Sequence, residues 1–220
     1  MAKVQGVKEK LHFQLYDAFF VPEKDASGEP ATFGGEMNKR DPRMIRFFMD
    51  IQNKTKLETN LQAAGVLPSL NTYEARALRV IVSSQRLLET THSLDPEQEL
   101  RDVLNEAEIL ADLIYNSVTT LLVGEKIMIE APTFWFPSGA GVSPGFPTVS
   151  NHGDPDPSAT FRFAEPVFIE PQQNFRVEML FPRGVPGQAT LDADATKLAG
   201  VKGPFRIWVA LDGYLTRDVQ

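Results

Sequence analysis

By residue type, the best candidates for chemistry are three histidines and a few closely spaced carboxylates. His152 stands with Asp154 and Asp156 in Asn151-His152-Gly153-Asp154-Pro155-Asp156-Pro157, and Asp192 lies two residues before Asp194. Carboxylates two apart on a loop can meet a hard cation such as calcium. Neither segment supplies the further oxygen ligands of a calcium loop, and the prolines alone account for a stiff polar turn, so both read as structural loops. His12, His92 and His152 are far apart and form no His-x-His pair, which argues against a histidine-clustered iron, manganese or zinc centre. The chain has no Gly-x-Ser-x-Gly elbow. Ser138 and Ser143 sit in glycine-rich sequence without the strand-turn-helix setting of a nucleophile. A phosphate-cradling Gly-x-x-x-x-Gly-Lys run is absent as well. An acidic chain offers many carboxylate pairs for glycoside cleavage, and the sequence nominates none of them. The expectation is a protein without catalytic residues, metal or cofactor.

One cluster has a different kind of chemistry. Phe134, Trp135 and Phe136 are adjacent and bracketed by Pro132 and Pro137. Exposed rings stack on sugars or anchor in a partner's pocket. The alternative is a strand end that buries alternate rings. In an extended segment at least one of three adjacent side chains faces away from the core, and another subunit is a reasonable neighbour for it. The segment from Ser138 to Ser158 follows directly and is rich in Gly, Pro, Ser and Asp. A connection of that length is usually functional or held by a partner. Phe134, Trp135 and Phe136 are therefore the candidate subunit or ligand contact.

The elements that must position this cluster are mostly strands. Phe175, Val177, Met179 and Phe181 alternate with polar residues, as do Phe161 and Phe163 and then Phe205, Ile207, Val209 and Leu211. Period-two alternation places one set on a core face. Asp212-Gly213 reads as a tight hairpin into Tyr214 to Val219. Earlier strands are expected over Leu11 to Val21, Met44 to Ile51, Thr72 to Val82, Val118 to Val123 and Lys126 to Glu130, with a turn at Gly124-Glu125. The last third is read as separate strands beginning near Ala159 and Pro166. The one helix signal starts at Asp95 as N-cap, with Pro96 and Gln98 behind it, and carries apolar residues at helical spacing to Ile114. No internal repeat or linker interrupts the chain. The expected architecture is a single β-sandwich domain over residues 1–220, jelly-roll-like, of about eight or nine strands with an amphipathic helix inserted near 95–114.

Composition narrows the partners. The chain has 220 residues, a net charge of −7, 15 Phe and no Cys. Its acidity disfavours strong nucleic-acid binding. Lys39, Arg40, Arg43 and Arg46 form one local basic group, read as a solvated approach to a strand. The absence of cysteine rules out disulfides and thiolate sites and fits folding in a reducing cytoplasm. No stretch approaches the roughly 20 apolar residues of a membrane span, and residues 1–10 lack a signal-peptide core.

The aromatic first strand, the polar loop after it, the strands joined by long Pro/Gly connections and the closing run Gly203-Pro204-Phe205-Arg206-Ile207-Trp208-Val209-Ala210-Leu211-Asp212-Gly213-Tyr214-Leu215-Thr216-Arg217 together resemble jelly-roll structural proteins of bacterial viruses. That resemblance implies a capsid-type subunit, folded in the host cytoplasm and carried in the virion. It would assemble as a homo-oligomer with other virion proteins through long loops and strand edges, and would have no catalytic residues. From another class, a carbohydrate- or ligand-binding β-sandwich module, such as a receptor-binding or decoration protein, would use Phe134 to Phe136 as its platform.

Overall fold

The computed structural model describes residues 8–24, 26, 28, 31–33, 44–68, 70–84, 112–136, 160–183, 187–188 and 199–218. Its strands are β1 (Lys8–Val21), β2 (Thr32–Phe33), β3 (Met44–Phe47), β4 (Thr72–Ser84), β5 (Val118–Val123), β6 (Lys126–Pro132), β7 (Phe161–Ile169), β8 (Phe175–Leu180), β9 (Gly187–Gln188), β10 (Ala199–Lys202) and β11 (Phe205–Asp218). Two four-stranded sheets, β1-β11-β4-β7 and β3-β8-β5-β6, make up the body, and β2-β10-β9 form a small third sheet.

The order within the two large sheets follows from one nested pairing. Of their eight strands, the first pairs with the last (β1 with β11), the second with the seventh (β3 with β8), the third with the sixth (β4 with β7) and the fourth with the fifth (β5 with β6), all antiparallel. Wrapping this long double hairpin on itself adds the contacts β11–β4 and β5–β8 and splits it into two sheets. The result is the order of a jelly roll. The sequence expectation of a mainly β sandwich is met.

One core fills the space between the sheets. The first sheet gives Leu15, Val21, Tyr73, Leu78, Val80, Ile169, Phe205, Ile207, Val209 and Leu211; the second gives Ile45, Phe47, Leu121, Val123, Phe175, Val177 and Met179. Phe33 of the small sheet joins edge-to-face with Phe19, Phe181 and Phe205, at centroid distances of 5.3, 5.4 and 6.3 Å. The alternation read along β8 and β11 is the alternation of burial.

Four sequence expectations change in the structure. Asp212-Gly213 is no hairpin: β11 runs straight through it, paired with β1 along its whole length. Gly213 sits at a bulge where the register with β4 skips Arg76, and a Cβ there would lie 2.0 Å from Glu74 O. Glycine is required by that close backbone approach rather than by a turn. The strand expected over Met44 to Ile51 ends at Phe47, because Phe48 takes φ 69°. Phe161 to Ile169 is one edge strand whose pairing with β4 jumps from Arg162 to Val167. That bulge accommodates Pro166, which has no N–H to give a ladder. The long connection over 184–203 contains the short strands β9 and β10. The helix expected near 95–114 falls outside the described residues except for its last turn, where 112–115 are helical.

The free edge of β1 is covered in its middle, from Gln14 to Asp17. Residues 48–61 run along it, and the Tyr16 backbone is matched on both sides: its N–H donates to Asn60 Oδ1 at 3.1 Å, and its carbonyl accepts from Thr59 Oγ1 at 3.1 Å. Asn60 Nδ2 also donates to Gln14 O at 2.6 Å. The segment reaches both faces of the sheet. Lys54 meets the inward Asp17, while Leu57 O accepts from Trp208 Nε1 at 3.1 Å on the outward face. Covering an edge in this way prevents uncontrolled strand pairing.

Gly213→Ala is expected to cost about 3 kcal/mol or more, at or beyond the upper end of overpacking, because the obstructing atom is backbone and cannot rotate away. Urea unfolding of the variant checks this, and an unchanged midpoint would contradict the close approach.

Candidate functional site

The aromatic cluster stands where β6 leaves the second sheet. Pro132 ends the strand with φ −52° and ψ 138°, and Thr133–Trp135 form one turn of 3-10 helix. Three residues per turn separate successive side chains by about 120°. Three adjacent rings therefore point three ways, instead of alternating between two as in a strand. Phe136 is fully buried, whereas Phe134 and Trp135 are 44% and 54% exposed. Two rings face outward, but from a 3-10 turn and not from the extended strand end on which the sequence expectation of an outward ring rested.

Buried hydroxyls and backbone bonds hold the turn. Thr133 Oγ1 lies 2.7 Å from Ser117 Oγ and 2.8 Å from Thr119 Oγ1, and Ser117 Oγ donates to Leu113 O at 2.6 Å. Thr133 N–H donates to Ser117 O at 2.9 Å, and Val80 N–H donates to Phe136 O at 2.8 Å. The turn is thus tied to the segment before β5 and to β4 of the opposite sheet. Buried polar groups with their partners supplied fix one geometry.

Around this anchor the rings form a shelf. Phe136 packs edge-to-face on Phe161 at 5.1 Å, Trp135 leans on the same ring at 6.1 Å, and Phe161 meets Phe163 at 6.3 Å. Tyr115 stacks with Phe134 at 6.0 Å and is itself 69% exposed. Tyr115, Phe134 and Trp135 therefore present three rings outward from a rigid base, an arrangement that can stack on a sugar face or fill a partner's pocket. Sequence reasoning found Phe134 to Phe136 and missed Tyr115 and Phe161 as their neighbours. Phe161 was legible as a strand residue, but its meeting with Phe136 is a long-range consequence of the fold.

The outward face of the first sheet has a second group of polar side chains. Tyr214 lies under Lys10 and Arg76, 4.8 and 5.2 Å from its ring centroid. Glu74 accepts from Lys10 and from Arg76, and Asp212 sits between His12 at 2.7 Å and Arg79 at 3.2 Å. The Lys10 and Arg76 hydrogen bonds hold the Glu74 carboxyl below the usual carboxylate range. Here every acid has a basic neighbour, so the group is a cross-strand network on a solvated face.

The other sequence candidates are placed as follows. His92, Ser138, Ser143, His152, Asp154, Asp156, Asp192 and Asp194 lie outside the described residues. Of the basic group, Arg46 is described and pairs with Glu178 at 3.5 Å; Lys39, Arg40 and Arg43 lie outside. Among the described residues, no three His, Asp or Glu side chains gather as a metal site, and no helix is long and apolar enough to cross a membrane. No protein-family model, curated protein or solved structure matches the chain.

Phe136→Ala is expected to cost about 3–5 kcal/mol, whereas Trp135→Ala, at an exposed position, should stay near about 0.5 kcal/mol; paired urea titrations separate the two roles. Because the Glu74 pKa is lowered on folding, its contribution to stability is present above the unfolded carboxylate pKa and is lost as pH falls through the folded one. The stability advantage of wild type over Glu74→Gln should therefore shrink in acid, and an advantage that grew in acid would overturn the assignment.

Proposed function

We propose that this chain is a structural subunit of a bacterial virus, a capsid-type protein that assembles with copies of itself and with other virion proteins. It would fold in the host cytoplasm and reside in the virion. The observation that carries this reading is the nested jelly-roll strand order, an architecture used by viral shells. Fold alone does not assign function, so the shelf of Tyr115, Phe134 and Trp135 supplies the second support. A rigid, exposed aromatic group suits an interface anchor. Assembly would use this shelf, the long loops and strand edges other than the covered β1 and the bulged β7.

Lectins share the jelly-roll architecture, and the exposed Trp135 beside stacked Tyr115 and Phe134 specifically favours a carbohydrate-binding module as the second reading. The charge of −7 supports neither reading over the other but disfavours a surface that grips nucleic acid tightly.

Light scattering over a concentration and salt series, with negative-stain images of the same samples, tests the subunit reading. Uniform rings, trimers or shells are expected, and Phe134→Ala with Trp135→Ala should weaken association by tenfold or more, as loss of an interface anchor does. A strict monomer that binds a glycan, and loses it on Trp135→Ala, would replace the subunit with the binding module.

A further inference from the structure

Asp17 is the most deeply buried carboxylate among the described residues. It lies on the inward face of β1, opposite Val209, with no exposed surface. Lys54, on the segment covering the β1 edge, places Nζ 2.8 Å from Oδ1 and 2.9 Å from Oδ2. Phe48 N–H donates to Oδ2 at 2.6 Å. This amide belongs to the residue with φ 69°, so a backbone conformation unusual for a bulky side chain is what aims it at the carboxylate.

We propose that Lys54 and Asp17 condense spontaneously in the folded protein to form an intramolecular isopeptide bond. An amine equidistant from both oxygens is also within reach of the carbon between them, at about the 3 Å separation of a near-attack contact. With Asp17 fully buried and Lys54 largely so, proton transfer inside the pair turns ammonium and carboxylate into amine and acid. Burial favours the protonated acid: it pushes the Asp17 carboxyl above the usual carboxylate range, against the opposing pull of Lys54 and the Phe48 amide. Nζ attacks Cγ, and the negative charge that develops on Oδ2 meets the waiting Phe48 N–H, the arrangement of an oxyanion hole. The adduct collapses by expelling Oδ1 as water, which takes its own proton and one from nitrogen. One C–N bond forms, one C–O bond breaks, and no oxidant or cofactor takes part.

Glu58 feels the Lys54 charge but spends its hydrogen bonds on Thr55 N–H and Oγ1 at 2.8 and 3.1 Å, and it faces Arg206 at 3.4 Å. The bond would fasten the covering segment to β1 covalently. The inference does not depend on the virion reading.

Intact-mass and peptide-mapping spectrometry of the purified full chain tests it. The wild type should be lighter than its sequence by one water, and digestion should yield a branched peptide joining Asp17 to Lys54, with no cleavage after Lys54. Lys54→Arg keeps the positive charge without a nucleophilic amine, so it should fold and show the full sequence mass. A wild type of full mass with linear Lys54 peptides would overturn the proposal. So would a Lys54→Arg protein that also lacks one water, since that loss would come from elsewhere.

Discussion

The fold depends on the pairing of β1 with β11. Lys8 lies opposite Asp218 and Val21 opposite Phe205, so this one ladder joins segments some two hundred residues apart. Closing so long a loop costs conformational entropy that local contacts cannot recover, and the ladder has to recover it through length and burial. It does so on both sides of β11, which also pairs with β4 from Phe205 to Thr216. Leu15, Leu211 and Leu78 then share one core layer. Tyr73, fully buried, brings its hydroxyl to 2.8 Å from both Phe13 O and Leu211 O, tying the third strand to the other two at the bulge.

Such a sheet has a predictable weakness at its edge, and the chain treats its edges differently. β1 receives the 48–61 segment, with Asn60 and Thr59 standing in for a neighbouring strand and Asp17 holding the segment from within. β7 carries a bulge and Pro166, which make it a poor template for another strand. The exposed ring of Trp135 stands near this second edge, against Phe161 at the start of β7, with Phe134 beside it in the chain. Sticky side chains therefore lie beside a backbone edge that resists pairing, a combination that favours association through side-chain fit over association through added strands.

Much of this was legible in the residues. Period-two alternation located β8 and β11, and the apolar runs located β1, β4 and β5, because burial on one face of a sheet imposes that period. The strand order was not legible: no local pattern records which strand lies beside which. Asp212-Gly213 misled because a glycine after an aspartate suits a hairpin and also suits a point where two backbones nearly touch; only the neighbouring strand distinguishes them. The end of β3 was missed for a related reason. Phe48 is apolar and continues the strand pattern, yet it takes a left-handed conformation with its N–H on Asp17, thirty-one residues earlier. The aromatic triplet was found by composition, but its three-way display required a 3-10 turn that hydroxyls from Ser117 and Thr119 stabilise from a distance.

The central place of β11 in its sheet also bears on synthesis. While the chain is being made, β1, β4 and β7 emerge before the strand that separates β1 from β4 exists. Until residues 205–218 leave the ribosome, β1 lacks its ladder partner β11, and β4 is open on one side. The β1 edge stays uncommitted while all the residues between β1 and β11 are made, and the β4 edge does so from the time β4 appears. The covering segment at 48–61 gives β1 an early companion on its other edge, so that the side awaiting β11 is the one left open.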